Sequence, residues 1–115
     1  MVAKKRPDSP LEAARRRLFQ VGQDLPKVLL AIEQPTEPDR GRDLHHLVPQ
    51  VNEAMSAVEQ ADKVVGGPYD APVPDSLRRA LNLSNRAINA VANARHDDDA
   101  SARIRSMGNG LEYYT

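Results

Sequence analysis

Residues 9–32 read SPLEAARRRLFQVGQDLPKVLLAI, and this stretch decides the fold class. Its apolar residues recur at alternating spacings of three and four, which places them on one face of an α-helix. The residues of this face are Leu11, Ala14, Leu18, Val21, Leu25, Val28 and Ile32. Because the spacing is unbroken at Pro26, we expect the helix to continue past the proline with a kink, in preference to a restart capped by Asp24.

The start of this helix has its own signals. Ser9 is a preferred N-cap residue, and Pro10 suits the first helical position. Glu12 follows Ser9 by three residues, the spacing of a capping box, so Ser9 is predicted to cap the first helix. Residues 34–41, QPTEPDRG, contain two prolines and a glycine and are predicted to form a loop.

The same spacing predicts a second helix that starts near Asp43, or near Leu47 if Pro49 must lie in the first turn. Its apolar residues are Leu44, Leu47, Val48, Val51, Ala54, Met55, Val58, Ala61 and Val65. Gly66, Gly67 and Pro68 are predicted to end it. A proline-rich loop, 69–74, follows.

A third helix is predicted from Asp75 or Ser76, as its cap, to near His96. Its apolar face consists of Leu77, Leu81, Ser84, Ile88 and Val91, flanked by Ala80, Ala87 and Ala94. Asp97, Asp98 and Asp99 suit the N-terminus of a short fourth helix, Ala100–Met107, because carboxylates are favoured at the positive end of the helix dipole.

No segment alternates with the period of a strand. We therefore expect an all-α fold, an antiparallel three-helix bundle with a short fourth C-terminal helix. Residues 1–8 are predicted to form a flexible basic arm, and residues 9–115 a single helical domain.

Composition narrows the class of protein. The chain has 115 residues and no cysteine, which excludes disulfides and thiolate metal sites and is typical of a reducing cytoplasm. No apolar run approaches the length of a membrane span, and no apolar segment follows the basic residues of 1–6 as a signal peptide requires. The Arg-rich and Ala-rich composition suggests a bacterial or phage genome. The thin, Ala-rich core favours a homodimer.

The third helix carries an unusual polar face. Arg78, Asn82, Asn85, Arg86, Asn89 and Asn93 lie near one another on a helical projection, with His96 at the end, away from the apolar stripe. Because asparagine is a mediocre helix former, we interpret this as an exposed face that binds another protein, as an adaptor, regulator or inhibitor would. Tyr113 and Tyr114 are further candidate contacts, unless they pack internally.

Nucleic-acid binding is the alternative. Arginine and asparagine side chains can each make bidentate contacts to base edges, and residues 76–96 contain four arginines and no acid. A basic N-terminal region would add phosphate contacts through Lys4, Lys5, Arg6, Arg15, Arg16 and Arg17. The formal net charge of +0 argues against a simple polyelectrolyte binder.

We find no pattern of a catalytic site and expect no enzymatic activity, metal or cofactor. His45 and His46 are adjacent, so they diverge on a helix and cannot chelate one metal as an i, i+4 pair would. His96 precedes three aspartates, but helix capping explains these carboxylates. The Gly66-Gly67-Pro68 and Gly108-Asn109-Gly110 segments lack the context of a phosphate-binding loop and are interpreted as turns.

Overall fold

The computed structural model describes residues 9–34, 36–39, 44–63 and 72–109, and every regular element in these ranges is helical. The α-helices are α1 (Pro10–Glu33), α2 (Val48–Ala61), α3 (Asp75–Ala94) and α4 (Asp98–Met107). Two 3₁₀ helices, Glu37–Asp39 and His45–Leu47, lie in the connection between α1 and α2. The all-α prediction is confirmed for this part of the chain. The predicted basic arm, 1–8, lies outside it.

The start of α1 follows the sequence signals. Ser9 adopts an extended conformation, and its hydroxyl oxygen accepts a hydrogen bond from the Glu12 amide at 3.2 Å. The helix then runs unbroken through Pro26. The predicted continuation is thus confirmed, and the alternative restart at Asp24 is wrong: Asp24 lies inside the helix and is 6% exposed.

A single core receives one face of each helix. All the apolar positions predicted for α1 are buried, and so are Leu44, Leu47, Val51, Ala54 and Ala61 in and before α2. From α3 the core takes Leu77, Ala80, Leu81, Ala87, Ile88, Val91 and Ala92, and from α4 Ile104. Because α3 packs extensively against each of α1, α2 and α4, whereas α1 touches α4 only slightly, α3 is the central element of the fold.

The observed start of α2 distinguishes between the two starting positions that the sequence allowed, near Asp43 and near Leu47. The α-helix begins at Val48, directly after the 3₁₀ helix that ends at Leu47, and Pro49 is its second residue. The later start is confirmed, and it places Pro49 in the first turn, where its missing amide has no intrahelical acceptor. Val65 and the predicted glycine stop lie outside the described residues.

Both ends of α3 differ from the prediction. Pro74 is the N-cap, with ψ 152°, and Asp75 is already the first helical residue. The helix ends at Ala94, before His96, and Arg95 takes an extended conformation. The Arg95 guanidinium donates a hydrogen bond to the Thr36 hydroxyl at 3.3 Å, so a long-range contact lies directly after this end of the helix.

The fourth helix, α4, runs back along α3. Asp97 caps it: its Oδ1 accepts hydrogen bonds from the amides of Asp99 at 3.1 Å and Ala100 at 3.2 Å, so the helix begins two residues earlier than predicted. Ser101 then donates a 2.6 Å hydrogen bond to the Ala92 carbonyl oxygen, and the C-cap Gly108 lies beside Ile88. These contacts hold α4 against the C-terminal half of α3.

None of the helices in the described ranges combines the length and the apolar character that a membrane crossing requires.

Candidate functional site

The polar face predicted on α3 is only partly accessible. Arg78, Arg86 and Asn93 are exposed, whereas Asn82, Asn85 and Asn89 are half-buried. The predicted exposure of this face is therefore confirmed for three of the six residues and is only partial for the other three. His96 is exposed but lies beyond the end of the helix, so it does not extend this face.

The C-terminal part of the face is engaged in internal contacts. Asn89 Nδ2 donates to Asn85 Oδ1 at 3.0 Å, and Arg105 of α4 donates to Asn93 Oδ1 at 2.7 Å. Gly108 also lies close to the Asn85 amide, because a Cβ built on this glycine would be 3.4 Å from Asn85 Oδ1. Packing of α4 thus occupies hydrogen-bonding groups that the sequence suggested were free for a partner.

The N-terminal part of the face opens onto a concave surface, which we call the α2–α3 cleft. It has a volume of about 490 Å³ and is lined by Glu53, Asp75, Arg78, Arg79, Asn82, Leu83 and Arg86. A second depression of about 600 Å³ continues from it along α2. The two share Glu53, Asp75, Arg79 and Leu83, so they form one continuous groove between the two helices.

Charges of both signs line this cleft. Arg79 Nη2 lies 3.8 Å from Glu53 Oε1, and their side chains are 71% and 58% exposed. An ion pair this exposed and this long contributes little to stability. Neither Arg78 nor Arg86 forms an ion pair with another described residue. The cleft therefore presents accessible guanidinium groups close to two carboxylates.

Asn82 adds an unsatisfied group to the cleft. Its Oδ1 is buried and accepts no hydrogen bond from the described residues. A desolvated amide oxygen without a donor destabilises the folded state by about 1–3 kcal/mol, and most buried side-chain oxygens do find a partner. Asn82 thus contributes a buried acceptor with unused hydrogen-bonding capacity, and this oxygen is not exposed on the surface of the cleft.

Sequence reasoning missed Arg79, Leu83 and Glu53 as members of this site. Arg79 lies only about 20° from Arg86 on a helical projection, so a wider arc would have included it. Leu83 lies on the flank of the polar face and is half-buried against the core. Glu53 comes from α2, and the sequence pattern of α3 holds no information about it.

The basic residues proposed for nucleic acid do not join this cleft. Arg15, Arg16 and Arg17 are exposed on α1, whereas the described residues that line the cleft belong to α2 and α3. Lys4, Lys5 and Arg6, together with the candidate contacts Tyr113 and Tyr114, lie outside the described residues.

The histidines are spread over the fold. His45 and His46 are exposed in the 3₁₀ helix before α2, and His96 lies between α3 and α4. No group of three or more His, Asp or Glu side chains within the described ranges is arranged to hold a metal ion.

Comparisons of the chain with protein-family models, with curated proteins and with solved structures found no match.

Proposed function

We propose that this chain is a non-enzymatic helical module that acts by binding another protein through the α2–α3 cleft. The observation that carries the proposal is the composition of the cleft, which combines Arg78, Arg79 and Arg86 with the apolar side chain of Leu83 on one concave surface. Arginine is enriched at protein interfaces, where its planar guanidinium binds carboxylates in a bidentate manner while its stem packs on apolar groups.

The cleft also defines the chemistry of the partner. A carboxylate from the partner would pair with Arg78 or Arg86, since neither has an ionic partner among the described residues. An apolar side chain would pack on Leu83. A segment that presents one carboxylate beside an apolar residue meets both requirements.

Nucleic acid fits the same cleft less well. Glu53 and Asp75 lie beside the arginines, so the cleft suits a single carboxylate placed on Arg78 or Arg86 better than the continuous row of charges of a phosphate backbone. Asn85 and Asn93, which could have contacted base edges, already accept hydrogen bonds from Asn89 and Arg105. Nucleic-acid binding thus remains the alternative, and the experiment below separates the two.

The proposal includes three finer statements. We infer that α1, α2 and α3 form an antiparallel bundle, because all three pack against one another and Gly22, in the middle of α1, lies beside Val58, near the C-terminal end of α2. A cytoplasmic location is supported by the cysteine-free composition. A bacterial or phage origin is supported by the excess of arginine over lysine.

Affinity capture with a matched control tests the proposal. The tagged chain, its Arg78→Ala/Arg86→Ala variant and an Arg15→Ala/Arg17→Ala control are incubated with lysate, with and without nuclease. Both variants lose two exposed positive charges, so only the position of the charge differs. We expect one protein to be captured by the wild type and the control, to survive nuclease and to be lost with the cleft variant.

The opposite pattern would favour the alternative. Recovery of nucleic acid, or of proteins that disappear after nuclease treatment, would contradict the proposal if the Arg15→Ala/Arg17→Ala variant lost them. Removal of residues 1–6 would then weaken retention on duplex DNA or RNA, and retention would fall as salt rises. Circular dichroism of each variant checks that helicity is unchanged.

A further inference from the structure

The outward face of α1 carries the most exposed apolar side chains of the described residues. Phe19 is 68% exposed and Leu30 is 50% exposed, and they are the large hydrophobic residues on the surface in the described ranges. Phe19 is also the single phenylalanine of the sequence. An exposed phenylalanine is a large apolar area in contact with water, and such areas mark interaction surfaces.

These residues belong to one stripe. Phe19, Gln23, Pro26 and Leu30 are spaced by four, three and four, so they lie above one another on the helix, and all four are exposed. This is the spacing by which two helices pack along a shared seam. We call these four residues the α1 seam. It lies on the side of α1 away from its buried face.

Charges at the two ends of the seam are of opposite sign. Arg16 precedes Phe19 by three residues and Glu33 follows Leu30 by three, and both side chains are exposed. If two copies of α1 pair antiparallel with Phe19 facing Leu30, then Gln23 faces Pro26 and Arg16 faces Glu33. A parallel pair would place Arg16 against Arg16 and Glu33 against Glu33, which is repulsive.

We propose that a second copy of this chain docks on the α1 seam to form an antiparallel dimer with twofold symmetry. The charge pattern selects this occupant, because the same stretch supplies both halves of each Arg16–Glu33 pair, as a self-complementary interface requires. The antiparallel arrangement also aligns the two helix dipoles favourably. The interface is distinct from the α2–α3 cleft, so the dimer displays two copies of the proposed binding site.

The seam involves a single helix of 24 residues, about 36 Å long. Its contact area is therefore at the small end of specific interfaces, and we expect a dissociation constant on the order of 10 µM. Sedimentation equilibrium of the full chain from about 1 to 500 µM covers this range. A monomer at every concentration would overturn the proposal.

Substitution of the apolar residues tests the surface. Phe19→Ser and Leu30→Ser should each weaken the dimer by more than about 10-fold, since aromatic and apolar anchors dominate interface energies. Both residues are at least half exposed, so helicity and thermal unfolding at low concentration should be unchanged. Arg86→Ala, in the α2–α3 cleft, is the control and should dimerise like the wild type. A dimer that survives both serine substitutions overturns the proposal.

Charge reversal tests the orientation. Arg16→Glu and Glu33→Arg should each weaken the dimer, and the double variant should restore it, because opposite charges face each other again. Arg103→Glu on α4 changes the net charge by the same amount as Arg16→Glu and should have no effect. Failure of the double variant to recover would exclude the Arg16–Glu33 pairing.

Cysteine cross-linking gives an independent measurement, because the sequence contains no cysteine. In the proposed register, residue 23 of one copy and residue 23 of the other are offset by about 4.5 Å along the helix axis. The two copies of residue 33 are offset by about 25 Å. Gln23→Cys should therefore oxidise to a covalent dimer and Glu33→Cys should not. Efficient cross-linking of Glu33→Cys would indicate a parallel pair and overturn the proposal.

Discussion

The guanidinium of Arg95 donates a hydrogen bond to the Thr36 hydroxyl at 3.3 Å, across 59 positions of the chain. Arg95 is 9% exposed and directly follows α3, whereas Thr36 lies just after α1. The contact ties the connection after α1 to the junction between α3 and α4. We expect Arg95→Met, which keeps apolar length but removes the donors, to lower the free energy of unfolding by about 1–3 kcal/mol in urea denaturation.

Arg103→Met on α4 is the matched control for this variant. Arg103 is exposed, so the substitution should change the free energy of unfolding by less than about 0.5 kcal/mol. Equal stabilities of the two variants would show that Arg95 does not hold the junction.

Two buried serines provide a second prediction. Both hydroxyls donate to a backbone carbonyl, but one bond joins two helices and the other lies within a single helix. Ser101 Oγ donates to the Ala92 carbonyl of another helix at 2.6 Å, and Ser84 Oγ donates to the Ala80 carbonyl of its own helix at 2.7 Å. We expect Ser101→Ala to destabilise the fold by about 1 kcal/mol, since it removes a bond between α3 and α4. Ser84→Ala should be neutral or stabilising, because alanine is the better helix former and the Ala80 carbonyl retains its helical bond.

Hydrogen exchange distinguishes these serine variants further. Ser101→Ala should raise amide exchange in α4 more than in α3, because it loosens the docking of α4 without altering the core of α3. Uniform acceleration across both helices would instead indicate that α4 and α3 unfold as one unit.

The sequence predicted the helices far better than their relations to one another. In α1 every apolar position predicted from the spacing is buried, because the helical period alone determines which side chains share a face. The caps Ser9 and Asp97 were also predictable, since an N-cap depends on a side chain and amides only two or three residues away. These features are local.

The candidate site depends on contacts that are not local. The sequence of α3 suggested that Asn93 was available to a binding partner. Its side chain instead accepts a hydrogen bond from Arg105 of α4, and the periodicity of α3 does not specify how α4 packs. Glu53 lies in the α2–α3 cleft because α2 packs against α3, and the sequence pattern of α3 does not specify that packing either. Arg95, directly after the end of α3, bonds to Thr36 across 59 positions, a contact that the sequence pattern of α3 does not specify either. Sequence patterns place residues on a helix, and only packing shows which of them a partner can reach.

The helix caps give a third prediction. Ser9 is 2% exposed, and its hydroxyl accepts the Glu12 amide of α1, whereas Asp97 accepts two amides of α4. We expect Ser9→Ala to lower the free energy of unfolding by about 1 kcal/mol, and Ser9→Asn, which retains an acceptor, to lower it less. Thermal unfolding measures both. A larger loss with asparagine would indicate that packing of Ser9 outweighs its capping bond.

Alanine substitution of two glycines gives the last prediction, because the two variants should change the free energy of unfolding in opposite directions. A Cβ on Gly22, inside α1, would lie 3.4 Å from Val58 Cγ1, an ordinary contact. A Cβ on Gly108 would lie 3.3 Å from Ile88 Cγ2 and 3.4 Å from Asn85 Oδ1. Ile88 is fully buried, and Asn85 Oδ1 accepts the hydrogen bond from Asn89. We expect Gly22→Ala to raise the free energy of unfolding by about 0.5–1 kcal/mol through its helix propensity, and Gly108→Ala to lower it by about 1 kcal/mol through crowding.

Thermal unfolding at low protein concentration measures both glycine variants, and for a domain of this size the shifts should be about 2 to 6 °C in opposite directions. Gly22→Ser, with a similar Cβ but a lower helix propensity, should gain less than Gly22→Ala. If Gly22→Ala destabilised the chain, α1 and α2 would be packed too tightly for a methyl group. If Gly108→Ala were neutral, α4 would be free to shift along α3, and the contacts that bury Asn85 would not be fixed.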